Sequence, residues 1–122
     1  MIKKLNIMIL EEFCMNKNDM ESIFPHAFKI VRTSNDVFKE VELNKVAFDM
    51  IILDEDTRGV ISILDRLKKS TSIPIFLMAS KPKIKKQAIS YNVDGIIHEP
   101  FDMHAFNKVF NSSGSVLLQQ PN

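Results

Sequence analysis

Acidic side chains stand where the apolar runs of this chain stop. Glu11 and Glu12 follow LNIMIL (5–10), Asp54, Glu55 and Asp56 follow FDMIIL (48–53), and Glu99 follows GIIH (95–98). Carboxylates are oxygen donors for hard divalent cations and acceptors for N–H groups. Crowded together without cations, they repel one another and resist ionisation. His98 beside Glu99, with His104 nearby, lacks the tight spacing of a zinc site. Cys14 follows Glu11 and Glu12, whose charges disfavour a thiolate, so it reads as an ordinary cysteine. No nucleophile–base pair has a convincing spacing, and Gly59, Gly95 and Gly114 are isolated, so no glycine loop cradles a phosphate. The chain is not expected to be an enzyme, and no residue is assigned a catalytic role.

Whether the acids form a site depends on the elements that carry them. Residues 5–10, 28–31 (FKIV), 48–53, 73–78 (IPIFLM) and 95–98 are short and almost uniformly apolar, as strands buried on both faces are. Between them lie helix signals. Asp19 could cap a short helix that Pro25 ends. Ser34, Asn35 and Asp36 precede a helix with Val37, Phe38, Val41 and Leu43 on its apolar face. Gly59 opens a third, with Val60, Ile61, Ile63, Leu64 and Leu67 inward and Asp65, Arg66, Lys68 and Lys69 outward. A basic run at 81–86 leads into a fourth, with Ile84, Ala88 and Ile89. Residues 92–95 turn the chain, and 103–110 form a fifth with Met103, Phe106, Val109 and Phe110 on one side. Strand and helix alternate about five times, which predicts a parallel sheet with helices on both faces. In such sheets function gathers at the carboxyl ends of the strands, where all the acid runs fall.

Composition sets the bounds. A chain of 122 residues with 45% hydrophobic residues is one domain with a real core. A net charge of +1 gives no global pull toward nucleic acid or anionic membrane. The basic run has no interleaved aromatic residues, so a nucleic-acid surface is not expected of this domain alone. No apolar run approaches the roughly 18 residues that span a membrane, and EEF ends the short N-terminal apolar stretch without a small-residue cleavage site. With one cysteine and no internal disulfide, the chain is expected in the cytoplasm. The seven methionines read as core filler.

The stretches NIMILEE, FDMIILDED, GVISILDRLKKS, IPIFLMAS and VDGIIHEPFD, in this order and nearly this spacing, resemble the response-regulator receiver domains of two-component and phosphorelay signalling. The resemblance covers residues 1–111, leaving 112–122 as a polar tail or the start of a linker in a stand-alone protein or a longer chain. It implies a flavodoxin-like (βα)5 three-layer α/β sandwich with a parallel five-stranded sheet of order 2-1-3-4-5. It also implies that Asp54 stands at the phosphoacceptor position. Glu11, Glu12 and Asp54, with the backbone carbonyl of Asp56, match the family's Mg²⁺ ligands.

Three switch positions depart from the family. Its lysine after the fifth strand is replaced by Glu99. Its hydroxyl after the fourth strand falls on Ala79, with Ser80 one residue away. Its usual proline after the phosphoacceptor is replaced near Arg58. Phosphoryl transfer to a carboxylate needs a metal and fixed donors to neutralise charge. Glu99 replaces a cation with an anion, and like charges about 4 Å apart repel by roughly 4 kcal/mol at an effective dielectric of 20. Glu99 either swings to solvent, is protonated, or is compensated by cations, for which Lys81 and Arg58 are the candidates at the same sheet edge.

The reading is an atypical receiver that acts through protein contacts with a weak or absent phosphorylation switch. The resemblance implies signalling partners, a histidine kinase or an output domain. It also implies a contact or homodimer face formed by the fourth helix, fifth strand and fifth helix, with Ile89, Tyr91, Ile97, Phe106 and Phe110. One rival is a working receiver phosphorylated on Asp54 with Mg²⁺. The other is a flavodoxin-like ligand-binding or enzymatic domain, which a bound flavin spectrum would reveal.

Overall fold

A computed structural model of the chain describes residues 5–11, 27–43 and 47–98. Its elements are β1 (Asn6–Leu10), β2 (Ala27–Val31), α1 (Ser34–Leu43), β3 (Met50–Asp54), α2 (Val60–Ser70), β4 (Ile75–Ala79), α3 (Pro82–Ser90) and β5 (Gly95–His98). The strands form one parallel sheet in the order β2-β1-β3-β4-β5, as expected. No described helix is long and apolar enough to cross a membrane.

The apolar runs become strands because both sheet faces are covered. Met8, Leu10, Ile51, Leu53, Ile75, Leu77 and Ala79 join Val37 of α1, four residues of α2 (Val60, Ile63, Leu64 and Leu67) and Ala88 of α3 in one core cluster. Their alternate neighbours Ile7, Ile9, Ile52, Phe76 and Met78 point to the other face and are just as buried. All three described helices pack on the first face. The two other expected helices, near Asp19 and at 103–110, lie outside the described residues. Each fully buried Leu or Ile contributes about 1.5–3 kcal/mol, so this double burial is the main force that fixes the strand register. The layer of α1 and α2 is tied by the guanidinium of Arg66, 3.8 Å from the centre of the Phe38 ring, a cation–π contact.

Several boundaries correct the sequence reading. The third strand runs over Met50–Asp54 and the fourth over Ile75–Ala79, each about two residues later than expected. Pro74 has no N–H for the ladder and joins only through its carbonyl, which accepts from Ile51 N at 2.9 Å. Phe48 is buried as a plug ahead of its strand. Leu43, expected on the apolar face of α1, is 47% exposed, because two residues on from Val41 it falls on nearly the opposite side of the helix.

The turn before β5 is built around Asp94 and Gly95. Asp94 Oδ2 accepts from Ile75 N at 2.7 Å and from Lys68 Nζ at 3.1 Å, and Asp94 N donates to Ile75 O at 2.8 Å. A Cβ on Gly95 would meet the Phe76 ring at 2.6 Å, so glycine is required for the close approach of β4 and β5.

Candidate functional site

The parallel register brings the strand ends to one edge. Leu10 pairs with Leu53, Asp54 with Met78 and Ala79 with His98. Glu11, Asp54 with Glu55 and Asp56, and Ser80 with Lys81 therefore share the carboxyl edge of the sheet. Glu12 and Glu99 lie outside the described residues, as do Cys14, His104, Phe106 and Phe110.

Asp54 closes β3 and is 7% exposed. Its Oδ1 accepts from the backbone N–H of Asp56 at 3.2 Å. Burial holds its carboxyl above the ordinary value of 3.8. The Asp56 N–H opposes this, the charges of Asp56 and Glu55 add to it, and Lys81 opposes it. Glu11 is 3% exposed at the neighbouring strand end. Its N–H donates to Val31 O at 3.0 Å, and Arg32 Nη1 lies 3.5 Å from its carbonyl oxygen.

Glu55, given no role in the sequence reading, accepts three hydrogen bonds at this edge. It is buried, and its side chain turns toward α3. Oε2 accepts from Ser80 N at 2.9 Å and from Ser80 Oγ at 3.0 Å, and Oε1 accepts from Lys81 N at 3.0 Å. Strand alternation was only a partial signal: β3 ends at Asp54, Glu55 and Asp56 already lie in the turn, and the side that Glu55 takes is set by the Ser80 and Lys81 donors it meets.

Lys81, one of the two candidate cations, reaches an acid of this edge. Its Nζ lies 2.7 Å from Asp56 Oδ1, and that bond raises the Lys81 ammonium above its usual range. Both side chains are about half exposed, so the pair is solvent-screened. Arg58 is exposed in the turn between β3 and α2. Ala79 is fully buried, with its methyl in the core cluster. His98 is exposed, and Lys85 Nζ lies 2.9 Å from its Nδ1. An ammonium can only donate, so that ring nitrogen is engaged. Of the expected contact face, Ile97 is core at 1% exposed, while Ile89 (63%) and Tyr91 (43%) face solvent.

A surface groove of about 550 Å³ runs along β2 and α1. Its Lys29, Arg32 and Lys39 are matched against Asp36 and Glu40, and Lys29 pairs with Glu40, so its chemistry is mixed.

Among the described residues no group of three or more His, Cys, Asp or Glu could hold a metal ion. Mg²⁺ usually takes one or two protein carboxylates and keeps several waters. Glu11 and Asp54, buried side by side on adjacent strands, fit that requirement. Burial, and after it the charges of Asp56 and Glu55, disfavour the ionised Asp54 carboxyl, and a divalent cation would favour it.

No protein-family model matches the chain, and no curated protein matches it by sequence. Solved structures do. A two-component response regulator from Legionella pneumophila is 24% identical, with a TM-score of 0.73 over 92% of this chain and 99% of that one. A chemotaxis response regulator of Vibrio cholerae is 12% identical, with a TM-score of 0.71 over 91% and 99%. A phosphorylated cyanobacterial phytochrome response regulator is 17% identical, with a TM-score of 0.69 over 98% and 100%. The strand order and the layer of α1, α2 and α3 thus belong to a known architecture: this chain has the fold of the response-regulator receiver domains.

Proposed function

We propose that this chain is an atypical receiver-type signalling module that works through protein contacts, with a weak or absent phosphorylation switch and no substrate turnover of its own. The observation that carries this reading is the end of β4. Ala79 offers only a buried methyl, and the next hydroxyl, Ser80 Oγ, is already donated to Glu55. A phosphoryl group on Asp54 would find no uncommitted hydroxyl there to draw the loop inward. Residues 1–111 would form the receiver-like unit. Its partners would be signalling proteins, a histidine kinase or an output domain, met on the face where Ile89 and Tyr91 are exposed.

The burial of Glu11 and Asp54 at neighbouring strand ends favours a metal site that outlives the switch. Glu11 and Asp54, with Glu12 and the Asp56 carbonyl, would hold Mg²⁺, which would supply charge neutralisation at the Asp54 carboxylate. An amide NMR titration with Mg²⁺ and then beryllofluoride, a phosphoryl mimic, tests both parts. Mg²⁺ is expected to shift amides around Glu11, Asp54 and Asp56, and beryllofluoride to leave 82–98 in place. Movement of α3 and β5 on adding the mimic would overturn the absent switch, and silence toward Mg²⁺ would overturn the metal site.

A further inference from the structure

We propose that Glu55 is an internal anion that fills the donor cradle at the end of β4 and latches the β4–α3 loop in one position, whatever the state of Asp54. The loop is two residues long, Ser80 and Lys81, and both backbone N–H groups point at the Glu55 carboxylate, as does the Ser80 hydroxyl. Three donors at 2.9–3.0 Å on one carboxylate are charge-assisted bonds, the strong class.

The start of α3 explains why an anion belongs there. Lys81 is its N-cap and makes no side-chain cap bond, and Pro82 follows with no N–H to offer. The positive end of the helix dipole is left without a capping oxygen from its own chain segment. Glu55 brings a carboxylate from the end of the neighbouring strand to the N–H groups of Ser80 and of the N-cap residue Lys81, and is itself 5% exposed. Lys81 adds a second tie through its Nζ to Asp56. The loop is thereby joined twice to the turn after β3. An anion arriving on Asp54 would have to displace a carboxylate that is already in place.

As a contact the latch is independent of what the protein does. As a regulatory device it rests on the receiver reading. Amide hydrogen exchange on the full-length chain separates the two. In the unmodified protein the Ser80 and Lys81 amides are expected to be protected. In Glu55→Ala the Ser80 and Lys81 amides exchange about as fast as free amides, while the Leu77 amide, inside β4, stays protected to the level that the lowered global stability of the variant allows, which shows that the chain is folded. Ser80→Ala removes one bond and leaves Lys81 protected. If Glu55→Ala does not fold, Glu55→Gln, which keeps one carbonyl acceptor and the side-chain volume, carries the test and loses part of the protection. Equal exchange at Ser80 and Lys81 with and without the carboxylate would overturn the latch and leave the proposed function standing. Protection that depends on Glu55 but disappears when Mg²⁺ and beryllofluoride are added would overturn both the state-independence of the latch and the absent switch.

Discussion

Asp54 and Glu55 are adjacent, equally buried and identically charged, yet their surroundings differ. Glu55 turns to the α3 side and accepts three hydrogen bonds within 3.0 Å. Asp54 accepts one, at 3.2 Å, and has the charges of Glu55 and Asp56 near it. One carboxylate is built into the fold, and the other is held against its own ionisation. A buried anion is stable where backbone donors meet it and costly where only burial does. The first is therefore an architectural acid. The second is the one that would gain from a cation or a chemical modification.

Removing the architectural acid should cost the most. Glu55→Ala is expected to destabilise the fold by about 2–3 kcal/mol, the scale of a lost charge-assisted bond plus donors left poorly solvated. Urea unfolding at neutral pH measures it, and a loss no larger than that of a surface substitution would erase the contrast between the two acids.

The opposite sign is expected at Asp54. Asp54→Asn removes a carboxylate that the folded state raises above 3.8. The folded state binds that proton more tightly than the unfolded chain does, so ionisation of Asp54 lowers stability as pH rises from 3.8 through the raised value. The variant lacks this loss. It should match the parent in acid and exceed it at neutral pH, because burial first, and the charges of Asp56 and Glu55 second, penalise the ionised carboxyl. Paired unfolding curves across pH in metal-free buffer check both the sign and the window.

Thr57 extends the contrast to a neutral group. Its Oγ1 is buried with no hydrogen-bond partner among the described residues, although its backbone N–H closes the turn onto Asp54 O at 3.0 Å. Thr57→Val keeps the shape and deletes the stranded hydroxyl, and should stabilise by up to about 1 kcal/mol, read as a rise in melting temperature. The smallest effect belongs to Lys81→Ala. The ion pair with Asp56 is exposed, so melting should hardly change. The Asp54 carboxyl should rise further once the ammonium that lowers it is gone, which a carboxyl-detected NMR titration reads.

The sheet was legible in the sequence because five short apolar runs allow little besides strands buried on both faces. The acid edge was legible because parallel strands put all their carboxyl ends on one side. The start of β4 was misread because Pro74 sits inside an apolar run that looks continuous until the missing N–H is counted. Leu43 was misread because its offset of two residues from Val41 turns it about 160° away from the apolar face. Glu55 was illegible for a deeper reason. The run Asp54, Glu55, Asp56 looks like one acidic cluster, and which member turns to the helix side depends on where Ser80 and Lys81 present their donors, 25 residues on.

We propose that the switch fails at its first step, with little or no phosphoryl transfer to Asp54. Intact-mass measurement of the protein incubated with Mg²⁺ and a small-molecule phosphodonor, beside Asp54→Asn, tests it most directly. The account predicts the parent mass essentially unchanged and indistinguishable from the variant. A gain of one phosphoryl group in the parent, absent from Asp54→Asn, would contradict it.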